Sequence, residues 1–420
     1  MATATPEQPQ DGDGQFPLAA QIPLESFTLP PFPAEASHLR SLTLTSDINL
    51  NDYQSKHLRP GTFEPSTTLP QSITHLTLEL FSLGFPAPFL STLAASLPNL
   101  QSLTLFSCLI DGLDEASRKD AIALFRTVAP TLRELHLIDT FARVGFWASA
   151  AAVLSSSTAS TSGLKVLTVS TTYRGHHESD FLNRVSGDEW PALITPSLVG
   201  LSLNFESPPP AENEDAVTRM QPEDGDEEGL LKAGDGILPF ASDGRPSVAL
   251  RKRFEALSAG ESASGAGARE KRELLNLRVL NLSMYSLRAV EVGEAVYAAA
   301  KGQGTTEGGG LVDLTVSVML EEGWFGTLVE GLGRSGVGES LEGIEIVGVP
   351  TSKLSNENED LDAEKLLVQS EATVQKLAKV CGKLNRFEMS VLKSRKIGSV
   401  VWTKKEDEKW VMERQRQPTA

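Results

Sequence analysis

The apolar positions of the chain repeat one phrase, L-x-x-L-x-L. It is clearest in Leu100-Gln-Ser-Leu103-Thr-Leu105-Phe-Ser-Cys108. It begins at Leu39-Leu42-Leu44 and recurs at Ile73-Leu76-Leu78, Leu132-Leu135-Leu137, Leu164-Leu167-Val169 and Leu198-Leu201-Leu203. After a gap it returns at Leu277-Leu280-Leu282, Leu311-Leu314-Val316, Leu341-Ile344-Ile346 and Leu384-Phe387-Met389. From residue 39 to 198 the starts lie 34, 27, 32, 32 and 34 residues apart; from 277 they lie 34, 30 and 43 apart. Residues two apart share one face of a strand, so each phrase predicts a short strand with its last two apolar residues turned inward. One such strand cannot bury that face alone, whereas stacked copies bury it together, which is the logic of a solenoid.

Between the strands the apolar spacing changes to three and four, the mark of amphipathic helices. Helices are predicted over Pro88–Leu97, Asp114–Val128, Phe146–Leu154, Arg288–Lys301, Trp324–Leu332 and Leu361–Val380. Strand, helix and strand in alternation predict right-handed crossovers and a parallel sheet.

The ends and the gap read differently. Residues 1–20 are rich in Pro, Gln, Gly and Asp and predict a disordered tail. Ile22 to Leu29, closed by Pro30, Pro31 and Pro33, predicts the opening strand or cap of a repeat domain spanning 21–392. Residues 206–270 break the period, with eight acidic residues and one Arg between Ala211 and Glu228, and predict a largely disordered insertion. Within it, Leu250, Phe254 and Leu257 share one helical face, fitting either a helix laid on the chain itself or a docking motif for a partner. Two β-rich runs around a charged turn, with Trp402 and Trp410, predict a capping hairpin over 393–413, followed by a fraying tail over 414–420.

Charge and composition narrow the function classes. The formal net charge of -17 argues against nucleic acid, because phosphate contacts need clustered Lys and Arg. Two cysteines, Cys108 and Cys381, make no disulfide framework and suit a reducing compartment. The N-terminus has neither a basic n-region nor an apolar h-region, and no apolar run is long enough to span a membrane. The expectation is an intracellular monomer, cytoplasmic or nuclear, with no cofactor and no membrane partner.

The phrase resembles the leucine-rich repeat, and Leu100 to Cys108 resembles its Cys-containing form, L-x-x-L-x-L-x-x-C. The resemblance implies an α/β horseshoe with a parallel sheet on the concave face and helices on the convex face. At the position of Cys108 the other repeats carry Asp47, Phe81, Thr140, Thr172, Glu206, Tyr285, Met319, Val349 and Leu392. The Asn or Cys ladder of regular members is therefore absent, and the repeats are expected to be irregular. Irregular repeats of this length are similar to the substrate-binding half of F-box leucine-rich-repeat proteins, receptors in ubiquitin ligases. Residues 1–38 hold no F-box. The resemblance thus implies a non-enzymatic scaffold for a protein partner. The Ran GTPase-activating proteins, also leucine-rich-repeat solenoids with an acidic segment, give the alternative of a GTPase regulator.

Candidate contact residues lie between the core leucines. One outward row reads Thr43, Thr77, Thr104, His136, Thr168, Ser202, Asn281, Thr315, Glu345 and Glu388. It fits a solvated face of β-forming residues or a hydrogen-bonding floor for a partner. The next row holds Glu79, Phe106 and Ile138. Phe106 and Ile138 are apolar where a solvated face is polar, so they are either covered by a loop or the anchors of a contact centre. With Glu79, Thr104, Glu134 and His136 they form the candidate partner-binding site. No nucleotide-binding or hydrolase motif is present, and His176-His177-Glu178-Ser-Asp180 lacks the spacing of a metal site.

Overall fold

The computed structural model describes residues 18–29, 32, 34–48, 69–143, 145–155, 163–171, 190–205, 253–257, 276–301, 310–334, 336–350, 370–391 and 399–415. Several expectations lie outside these residues: the tail up to residue 17, the insertion apart from 253–257, His176 to Asp180, the helix start at 361–369, and the tail beyond 415.

Among the described residues, thirteen strands form one open sheet, and their order across it is their order along the chain. They are β1 (Ala19–Leu24), β2 (Ser41–Ser46), β3 (His75–Glu79), β4 (Ser102–Phe106), β5 (Glu134–Ile138), β6 (Val166–Thr171) and β7 (Gly200–Phe205). Then come β8 (Val279–Leu287), β9 (Asp313–Leu320), β10 (Gly343–Pro350), β11 (Arg386–Val391), β12 (Ser399–Lys404) and β13 (Trp410–Gln415). The first eleven run parallel, and β12 and β13 return as an antiparallel hairpin on β11.

The repeated phrase falls on β2 to β11 and sets their register. Leu42, Leu76, Leu103, Leu135, Leu167 and Leu201 are level across six strands. All six are buried at 1% exposure or less. A one-residue slip would turn every leucine outward, so this row locks the stack.

Two further ladders reinforce it. The carbonyl of the residue after each phrase's first apolar residue accepts two amides from the next repeat. Arg40 O accepts Thr74 N at 2.9 Å and His75 N at 3.0 Å. The pattern recurs at Thr74, Gln101, Arg133, Lys165, Val199, Arg278, Val312 and Glu342. It passes from Val199 to Arg278 unbroken, so β7 and β8 pair across the insertion, over the three residues Gly200 to Ser202 and Val279 to Asn281, before an irregularity in β8 between Leu282 and Leu287. The second ladder is made by side chains. Ser72 Oγ donates to Leu39 O at 2.7 Å, Ser197 Oγ to Leu164 O at 2.9 Å, and Ser340 Oγ to Leu311 O at 2.7 Å.

Among the described residues, six α-helices of seven residues or more cover the leucine face: α1 (Phe89–Ala95), α2 (Glu115–Val128), α3 (Phe146–Ser155), α4 (Ala289–Lys301), α5 (Trp324–Gly333) and α6 (Glu371–Val380). They share a single apolar core with the sheet. Asp114 caps α2 by accepting Ser117 N at 2.7 Å. Pro88, at the start of α1, makes no side-chain cap bond. Asp120 of α2 replaces it, accepting Leu90 N at 2.8 Å and Ser91 N at 3.1 Å. One repeat thus caps the helix of its predecessor.

Two boundaries of the sheet differ from the sequence expectation, and one open reading is decided. The sheet starts at Ala19, inside the stretch assigned to the tail, because Leu18 O already accepts Arg40 N and Ser41 N. The hairpin reaches Gln415, past residue 413, because Ser399 pairs with Gln415. Residues 253–257 of the insertion form a helical turn docked on the chain itself. Phe254 is fully buried, and Arg253 donates to Ile194 O at 2.7 and 3.1 Å and to Ala192 O at 3.4 Å. Of the two sequence readings of this segment, the structure adopts the self-docked one for Phe254.

Candidate functional site

The helices take one face of the sheet, and the other presents the residues between the leucines. Register brings the candidate residues together there. Glu79, Phe106 and Ile138 are level on β3, β4 and β5, followed by Ser170 on β6. Thr104 is level with His136, and Ser102 with Glu134. Phe106 and Ile138 are half-buried, so neither is fully covered by a described loop.

Polar contacts fix the surroundings of this pair. Glu79 accepts Thr45 Oγ1 at 2.9 Å, and Gln21 Nε2 donates to Thr45 Oγ1 at 3.2 Å. His136 Nδ1 lies 3.0 Å from Thr168 Oγ1, and its Nε2 faces Glu134 Oε2 at 3.7 Å. With the proton on Nε2, Nδ1 accepts a hydrogen bond from the threonine hydroxyl. The Thr168 hydrogen bond orients the imidazole, and the Glu134 carboxylate stands beside it beyond hydrogen-bond distance.

Sequence reasoning missed a second apolar strip, Val166 and Val279, on either side of Gly200. Val279 is 42% exposed. Val166 is level with Glu134, four residues before the level of Ile138, a separation of about 13 Å along the strand. The His136–Thr168 pair lies between the two patches. Outward valines next to a glycine at the first strand position were the available signal.

The rim at the strand ends is held stiffly. Leu80, Ser107 and Asp139 occupy the same station of successive repeats, with φ of 64°, 51° and 45°. Their amides continue the cross-strand ladder, donating to Phe106 O, Ile138 O and Ser170 O at 2.8–2.9 Å. A Cβ on Gly84 would sit 2.4 Å from Gly112 Cα, so the loops after β3 and β4 meet backbone to backbone. Arg143 joins the loop after β5 to the one after β4. Its Nε donates to the fully buried Asp111 carboxylate at 2.9 Å. Burial pushes the Asp111 carboxyl above its ordinary value, and the Arg143 charge pulls against that shift. Leu80 and Leu113 stand exposed on this rim, at 48% and 54%.

The described residues include no group of three or more His, Cys, Asp or Glu placed to hold a metal, and no helix long and apolar enough to cross a membrane. Burial pushes the Cys108 thiol up to about 12, so it is not ionised near neutral pH. No family model matches the chain, and comparison with curated proteins gives no match.

Proposed function

We propose that the chain is a leucine-rich-repeat solenoid, a horseshoe that binds a protein partner on the open face of its sheet. The observation that carries this reading is the Phe106–Ile138 pair. Two half-buried apolar side chains lie level on adjacent strands, and the outward positions around them on β3 to β6 are mostly Thr, Ser, His and Glu. Aromatic and aliphatic anchors in a polar surround dominate protein–protein contacts. The stiff rim beside them lowers the ordering cost of binding. Thr104, Glu134, His136 and Glu79 supply donors and acceptors around the anchors.

Capture of partners from cell extract by the full chain, read by mass spectrometry, tests the proposal. Phe106→Asp with Ile138→Asp should abolish capture while the thermal unfolding midpoint stays close to that of the parent. Capture that survives in the folded double variant rules out this contact centre. Ubiquitin ligase subunits among captured proteins favour a receptor role, and a GTPase favours the regulator alternative.

A further inference from the structure

We infer that the occupant of the open face is a basic protein segment carrying an apolar side chain; this rests on the protein-binding reading above. Among the described residues, the outward strand positions carry Glu79, Glu134, Asp313, Glu345, Glu388 and Glu413. Against them stands one guanidinium, Arg386, already hydrogen-bonded to Glu388. Four basic residues, Arg40, Arg133, Lys165 and Arg278, stand just before the outward strand positions, at the edge away from Phe106 and Ile138; Arg40 and Arg133 turn to the carbonyl groups of Ser72, Pro130 and Leu132.

The carboxylates are arranged at a local cost. Glu345 and Glu388 lie directly opposite each other on β10 and β11, a pairing of like charges that Arg386 offsets on the Glu388 side alone. Thr315 Oγ1 donates to Glu345 at 3.3 Å, which satisfies one acceptor site and leaves the charge. Glu413 extends the line on β13, level with Val401, which is in turn level with Glu388. A cationic partner relieves this repulsion, and an acidic one increases it.

The spacing defines the segment. Ile138 and Glu345 are five strands apart, about 24 Å. An extended chain spans that distance in about seven residues. The apolar side chain should therefore precede or follow the basic cluster by about that number of residues.

The probe is a fluorescent peptide with Leu and Phe at one end and Lys and Arg about seven extended residues away. Its anisotropy is followed with the full chain. Binding should weaken as added salt shortens the screening length from about 10 Å to about 3 Å. Glu345→Gln with Glu413→Gln should lower affinity about tenfold, and Phe106→Ser should weaken binding further. Replacing the eight acidic residues between Ala211 and Glu228 by their amides should leave affinity unchanged. The inference is overturned if the peptide does not bind, or if a Glu-for-Lys peptide binds as well. It also fails if the insertion rather than the face carries the binding, or if a second copy of the chain occupies the face. If it fails while Phe106→Asp with Ile138→Asp still abolishes partner capture, the protein-binding reading stands alone. If capture also survives that double variant, both fall.

Discussion

Cys108 Sγ and Thr140 Oγ1 occupy the same station of consecutive repeats, and each donates to a strand carbonyl one repeat back. The bonds run to Leu78 O at 3.3 Å and to Leu105 O at 2.8 Å. One repeat earlier the same position holds Phe81, fully buried, its ring centroid 4.6 Å from that of Phe85. A thiol, a hydroxyl and an aromatic ring thus fill one structural slot, two by hydrogen bonding and one by packing. Thr140→Val keeps the shape and removes the donor, and should cost about 1 kcal/mol in urea unfolding. Thr140→Ser should cost less, because the hydroxyl is retained.

Both cysteines are buried, and burial pushes each thiol up to about 12. A raised folded value means the protonated thiol is favoured by folding. That stability is present below the unfolded value and is lost as pH rises toward 12. Neither thiol should react with a thiol-specific reagent at pH about 8 until denaturant is added, as expected for buried, un-ionised cysteines. Rapid labelling of the native protein would contradict the burial.

Arg143 and Asp111 should respond unequally to truncation. Arg143→Ala leaves a fully buried carboxylate without its counter-charge and should cost about 3–5 kcal/mol near neutral pH. Asp111→Ala strands an Arg143 side chain that is 39% exposed and can be hydrated, so the loss should be smaller. The pH dependence follows from the raised Asp111 value. A carboxyl raised in the folded state favours folding when protonated, and the benefit is lost as pH rises through the folded value. Removing Arg143 raises it further. The gap between Arg143→Ala and the parent should therefore narrow as pH falls into the ordinary carboxylate range, read from urea midpoints.

Asp120 should matter to a helix it does not belong to. Asp120→Ala should cost about 1–2 kcal/mol. Hydrogen exchange should rise at the Leu90 and Ser91 amides of α1. Increased exchange confined to α2 would contradict the cap.

Phe254→Ala should cost about 3–5 kcal/mol despite its place in the insertion, because the side chain fills the core. Arg253→Ala removes the donor to Ile194 and Ala192 and should cost less. A Phe254→Ala protein as stable as the parent would show that the turn at 253–257 is not docked in solution.

The strands were legible because their signal is local. Leu103 and Leu105 declare an inward face within three residues, and ten copies align without ambiguity. Five of the six helices were legible to within a few residues for the same reason, as at Asp114, whose cap lies in the next turn; the sixth, expected from Leu361, begins only at Glu371, where Ser370 caps it by accepting Thr373 N. The cap on α1 was not, since Asp120 and Leu90 are thirty residues apart and nothing local links them. Thr140 was read as a departure from an Asn or Cys ladder because the sequence shows residue type, whereas the slot selects a donor. Ser72, Ser197 and Ser340 sit just before the first apolar residue of each phrase, outside the part that draws the eye. At the candidate site the alignment of Phe106 with Ile138 followed from the repeat. The His136 contacts to Thr168 and Glu134 depend on side-chain rotamers, which no spacing encodes.

The backbone ladder from Val199 to Arg278 has an engineering consequence. The entropy of closing a loop grows only with the logarithm of its length, about 0.6 kcal/mol for each doubling. Strands β7 and β8 already meet over a long excursion, so the stack is nearly indifferent to how much chain is threaded between Phe205 and Arg253. That interval is a permissive graft point, where a foreign domain can be spliced in while the strands on both sides keep their register.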